Sequence, residues 1–80
     1  MNTLEFKQWL TENTEYSKRV VSNVLSRLNR ANRILPVYNN ELYLFELEHV
    51  EAFKQLSCAV RSQLRKSVRL YIDYMKSIEE

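Results

Sequence analysis

The stretch from Ser17 to Leu35, SKRVVSNVLSRLNRANRIL, constrains the fold most, because its residues sort into two faces only if they form a helix. At about 100° per residue, Val20, Val21, Val24, Leu25, Leu28, Ala31 and Leu35 fall within one arc of roughly 140°. Lys18, Arg19, Arg27, Arg30 and Arg33 lie on the other side, with Ser22, Asn23, Ser26 and Asn29 between them. No acid occurs from Tyr16 through Asn40. A helix that is only solvated usually mixes charge signs, because Glu–Lys pairs one turn apart stabilise it. Cations without a local counterion predict a helix with one face on the core and the other toward an anion.

The rest of the composition agrees with a helical chain. Eighty residues allow a single domain, 1–80, with a small core. Glycine is absent, Pro36 is the one proline, and helix formers dominate, so the expected class is all-α. No run of ~18 apolar residues is present, so no membrane span is expected. The first residues, MNTLEFKQWL, carry the acid Glu5 and no apolar core, so no secretory signal is expected. A single cysteine, Cys58, cannot form an internal disulfide, and this predicts a reducing, cytoplasmic setting.

In chain order, four helices are predicted. Asn2 with Glu5 three residues later suits a capping box, and Phe6, Trp9 and Leu10 form an apolar stripe behind it. Trp9 reads as core rather than as a stacking platform for a base, because it shares that stripe. Thr11–Tyr16 is polar and turn-like, and Ser17 caps the second helix, which runs to about Arg33. Residues 34–45, ILPVYNNELYLF, break the helical period. Two readings stay open there: a small β-hairpin turning at Asn39-Asn40, or a loop of apolar anchors laid over the helices. The loop is preferred. At ~10 residues the connection exceeds the tight turn of a helix-turn-helix.

A third helix, about Glu46–Leu56, points Leu47, Val50, Phe53 and Leu56 inward. It is acidic and is expected to face away from any polyanion. Ser57 caps a fourth helix to about Ile78, with Val60, Leu64, Val68, Tyr71, Met75 and Ile78 as a core stripe that also resembles a heptad seam. Arg61, Arg65 and Arg69 recur every fourth residue at one edge, with Lys66 nearby. Leu70 and Tyr74 form another shoulder, available for packing on a second neighbour or for a partner.

Residue types that carry catalysis are sparse. His49 stands alone among Glu48 and Glu51, without a second His or Cys for a metal. Cys58 has no His nearby to activate it. A phosphate-cradling loop of the usual kind needs glycines that the chain lacks. The expectation is a non-enzyme with no metal, cofactor or small-molecule substrate.

Charge distribution is the remaining signal. Residues 16–40 carry +5, 41–51 carry −4 and 52–72 carry +5. Two basic blocks around an acidic one point to a polyanion. Arg and Lys neutralise phosphates, while Arg, Asn and Ser reach base edges. The expected polyanion-contact set is Lys18, Arg19, Ser22, Asn23, Ser26, Arg27, Arg30 and Arg33, joined by Arg61, Arg65, Lys66 and Arg69 on the last helix. RNA, an acidic protein and a membrane surface attract similar faces, although the apolar face here is needed for the core. The alternative function is a protein-interaction module without nucleic-acid binding, supported by the heptad-like seam of the last helix and the shoulder of Leu70 and Tyr74, with self-association or an acidic protein partner both open.

The order of features, FKQWL, then SKRVVSNVLSRLNRA, LFELEHVEAFKQL and a final helix ending LRKSVRLYIDYM, resembles the SAM-like N-terminal, core-binding domain of phage integrases and other tyrosine recombinases. Trp9-Leu10, Ser17, Leu28, Val50, Phe53 and the spacing of Leu64, Tyr71 and Tyr74 carry the resemblance from Phe6 to Met75. It implies a four-helix orthogonal bundle whose basic helices clamp one side of a duplex, with catalysis supplied by another domain. The family's His-x-x-Arg motif is not matched, since Ala52 follows His49 by three residues. None of the tyrosines is therefore assigned a cleavage role.

Overall fold

The computed structural model describes residues 3–38, 40 and 42–79. Among them are five helices: α1 (Thr3–Asn13), α2 (Lys18–Ile34), α3 (Leu42–Glu48), α4 (Glu51–Lys54) and α5 (Cys58–Glu79). No strand occurs among the described residues. The 22 residues of α5 span about 33 Å at 1.5 Å per residue, so this helix sets the 35 Å long axis of the molecule.

The expected cap at Asn2 lies outside the described residues. At its other end α1 runs on through Thr11–Asn13, which the sequence assigned to a turn. The cause is local. Asn13 Nδ2 donates to the Trp9 carbonyl (2.9 Å), and the Thr14 amide and hydroxyl both donate to the Leu10 carbonyl (3.0 and 2.6 Å). Polar side chains thus close carbonyls that a helix end leaves open.

Ser17 begins α2 as expected, its Oγ accepting from the Val20 amide at 3.3 Å. Pro36 ends it: the residue before a proline is pushed out of the helical region, and Leu35 is extended (φ −148°, ψ 117°). The Asn32 side chain then gathers the departing chain by accepting from the Val37 amide at 2.8 Å.

The hairpin reading of 34–45 is overturned. The part of it that rests on Asn39 lies outside the described residues. Asn40 starts a helix instead, its Oδ1 accepting from the Leu42 amide (2.8 Å) and its carbonyl from the Tyr43 amide (3.0 Å). Tyr43 and Leu47, four residues apart, are both fully buried. That helical spacing was hidden in the sequence because Leu42, Leu44 and Phe45 are apolar as well. The expected third helix is also two helices. Val50 is extended (φ −76°, ψ 128°), and tight i→i−3 bonds from His49 and Val50 close α3 before α4 begins.

Ser57 Oγ accepts from the Val60 amide at 3.2 Å and opens α5. Its buried set is Leu64, Ser67, Val68, Tyr71, Ile72 and Tyr74, wider than the predicted stripe, and Ile78 is exposed beyond the end of the core. The width has a reason: α5 packs most extensively on α2 and also receives α1. Phe6 meets Tyr71 edge-on at 5.1 Å and Tyr74 at 5.5 Å, and Trp9 meets Tyr74 at 5.8 Å. The Tyr74 hydroxyl donates to Glu5 Oε2 at 3.1 Å. Burial, and then this carboxylate, raise the Tyr74 pKa. The Tyr74 shoulder is therefore used inside the domain, as the seat of α1.

Tyr43 locks α3 to the end of α2. Its hydroxyl donates to the Leu35 carbonyl at 2.6 Å and lies 3.3 Å from that of Ala31. A helix end commonly uses a glycine to turn back and satisfy such groups. This chain has none, and a buried phenol supplies a donor. Burial, with the neighbouring Tyr38 phenol, pushes the Tyr43 pKa up to about 12. Tyr43→Phe should cost about 1 kcal/mol in urea unfolding, the worth of a typical buried hydrogen bond. A raised folded pKa keeps the full stabilisation below the unfolded value of ~10. Stability should therefore fall as pH rises from ~10 through the folded value of about 12, and Tyr43→Phe should lessen that fall.

Candidate nucleic-acid interface

On α2 the core takes Val21, Val24, Leu28 and Ala31. Lys18, Arg19, Ser22, Asn23, Ser26, Asn29, Arg30 and Arg33 are all exposed on the remaining arc. They fall into two rows. Lys18, Ser22, Asn29 and Arg33 lie toward α1, and Arg19, Asn23 and Arg30 lie on the far side. Arg27 departs from the expectation and is half-buried. Residues seven apart recur on nearly the same face, so Arg27 shares its row with Val20 and Ile34, and its stem covers that apolar edge. Among the described residues no carboxylate pairs with any of the five α2 cations.

The first turn of α2 holds no acid, while Lys18 and Arg19 occupy it. Cations at a helix N-terminus oppose the dipole, at roughly 0.3–1 kcal/mol each. Arg33 in the last turn is favourably placed. The cationic surface is thus least compensated near Lys18 and Arg19. A groove of about 300 Å³ opens at this end, lined by Lys7, Thr11, Lys18, Val21, Ser22 and Leu25. It brings Lys7 of α1, a residue absent from the expected contact set, to the α2 surface.

The α5 cations behave differently. Each four-residue step advances about 400°, so an Arg61, Arg65, Arg69 series rotates by about 40° per step across the edge of the core. Arg61 is half-buried, with Nε enclosed without a partner and its terminal nitrogen 3.6 Å from Cys58 Sγ. Arg65 Nε donates to Glu48 of α3 in an ion pair, and its guanidinium lies over the Phe53 ring at 5.6 Å. Arg69 and Lys66 are exposed. The acidic element therefore does not simply face away: Glu48 docks on Arg65, one of the expected contact residues. Because α2 and α5 pack on each other through their apolar arcs, the centres of their polar arcs point to different sides of the bundle.

Of the other residues weighed from sequence, Trp9 packs on Phe6 and Tyr74. His49 is exposed; its Nδ1 meets the Phe45 carbonyl at 2.7 Å and its ring lies 4.5 Å from the Phe45 ring. Cys58 is exposed at the start of α5. Among the described residues no cluster of three His, Cys, Asp or Glu side chains could hold a metal ion, and no helix is long and apolar enough to cross a membrane. Leu42 and Phe45 of α3 are exposed apolar residues, 59% and 62% accessible, that the loop reading of this segment had not placed.

Compared with protein-family models, with curated proteins and with solved structures, the chain matches none.

The pairing of Glu48 with Arg65 is partly exposed, at 41% and 28% accessibility, so its worth should be modest. A double-mutant cycle with Glu48→Gln and Arg65→Gln, read by urea unfolding, should give a coupling of about 0.5 kcal/mol that shrinks with added salt.

Proposed function

We propose that the chain is a non-catalytic module that binds duplex DNA through the polar face of α2. The observation that carries the reading is the exposed set Lys18, Arg19, Arg30 and Arg33, without acid partners among the described residues, interleaved with exposed Ser22, Asn23, Ser26 and Asn29. Such cations displace the counterions of a phosphate backbone, and the small polar groups between them can donate to phosphates or reach base edges. Arg27 contributes from the flank. Arg65 serves the fold first, through Glu48 and Phe53, and Arg61 is half-buried, which narrows the clamp to one principal helix.

The same reading takes α1–α5 as a SAM-like bundle of the kind found in integrase core-binding domains, with the third helix divided into α3 and α4. The helix order and the residues that carry the resemblance support it. In such an arrangement the module positions a duplex and a catalytic domain performs the reaction. A second reading, a protein-interaction module, draws support from the exposed Leu42 and Phe45. Its earlier support from the α5 seam is gone, since Leu64, Val68 and Tyr71 are buried within the domain.

A mobility-shift series on duplex and single-stranded DNA tests the leading reading. Duplex affinity should fall steeply with salt, with a logarithmic slope near −0.9 per phosphate contacted. Arg19→Glu with Arg30→Glu should abolish the shift and leave helicity by circular dichroism unchanged, as both residues are exposed. Binding of that variant equal to the parent's would exclude the reading.

A further inference from the structure

The groove between α1 and α2 has features that the outer face of α2 lacks. Lys7 and Lys18 come to it from two helices, and no carboxylate is among its lining residues. Both are cationic, and Lys18 occupies the first turn of α2, against the positive end of its dipole. An anion in the groove is favoured by both. The hydroxyls are not equivalent. Thr11 Oγ1 donates to the Lys7 carbonyl at 3.0 Å, so its proton is taken. Ser22 is the lining hydroxyl left to donate outward.

Below the cations the groove is apolar: Val21 is buried and Leu25 half-buried. A bare anion has no use for that floor. A volume of about 300 Å³ is at the lower limit of small-molecule sites, which run from ~300 to ~1,000 Å³. It suits one compact unit with a charged end and a carbon-rich body. The groove also opens onto the α2 row that continues through Asn29 to Arg33, about 22 Å from Lys18 at 1.5 Å per residue. A polymer strand can therefore enter the groove and carry on along the helix.

We infer that the α1–α2 groove seats one sugar–phosphate unit of the bound strand, its phosphate between Lys7 and Lys18 and its deoxyribose over Val21 and Leu25. This rests on the DNA reading above and deepens it. Lys7 becomes a backbone contact that fixes the register of the strand on α2, as phosphate contacts generally do.

The test is a salt series of duplex affinity for Lys7→Gln, Lys18→Gln and their combination, beside Lys54→Gln. Lys54 is exposed on α4 and is not in the groove lining, so its variant matches the loss of charge without touching the groove. Lys7→Gln is expected to weaken binding several-fold at low salt and to reduce the slope by about 1, the double variant by about 2, and Lys54→Gln to leave the slope unchanged. An unchanged slope in Lys7→Gln overturns the inference. So does an equal effect of Lys54→Gln, which would reveal only the general field of the protein. In both cases loss of binding by Arg19→Glu with Arg30→Glu would leave the DNA reading standing. A parent chain that binds no duplex at any salt overturns both.

Discussion

Val21, Val24, Leu28 and Ala31 of α2 are buried against the bundle, and the largest share of that packing is with α5. A helix that commits one arc to a core has no freedom over the other. Once Leu28 and Ala31 are inside, the positions of Lys18, Arg19, Arg30 and Arg33 outside follow from the helical repeat. The cationic surface is thus a consequence of the hydrophobic seam, and disturbing the seam would scatter the charges along with the core.

The same seam requires α5 to be broad. It meets α2 along its length and takes the aromatic side chains of α1 on its flank, where Phe6, Trp9, Tyr71 and Tyr74 form one cluster. Aromatic groups supply much buried area per residue, which a chain of this length needs. Several helix ends are closed by side chains. Ser17 and Ser57 cap the two long helices, Asn40 opens α3, Asn32 and Tyr43 hold the exit of α2, and Thr14 ends α1. With no glycine to adopt left-handed turns, these ends are tied by polar side chains, while α3 is closed by backbone bonds and α4 begins at Val50 without a side-chain cap.

Legibility from sequence followed the strength of the local signal. The two serine caps, the extent of α2 and the inward set Leu47, Val50, Phe53 and Leu56 were readable, because caps and apolar periodicity act within a few residues. The segment 34–45 was misread where Leu42, Tyr43, Leu44 and Phe45 are apolar in succession. Such a run has no period of its own, and only contact with α2 selects Tyr43 and Leu47 as the buried pair. On the candidate site, the α2 face was legible residue by residue except for Arg27. The Arg61, Arg65, Arg69 series was legible as a spacing, but not as a set of environments.

By itself, then, the sequence determined that the chain is helical, where its two long helices begin, and that α2 carries an uncompensated cationic face. These are local properties: capping bonds and the angular repeat need no knowledge of neighbours. Tertiary structure decided the rest. It divided the third helix and placed Glu48 on Arg65, across 17 residues of sequence. It half-buried Arg61 and brought Lys7 of α1 to the same groove as Lys18. Counterions and grooves depend on which elements become neighbours, and that is fixed by the packing of several helices on a shared core rather than by spacing along any one of them.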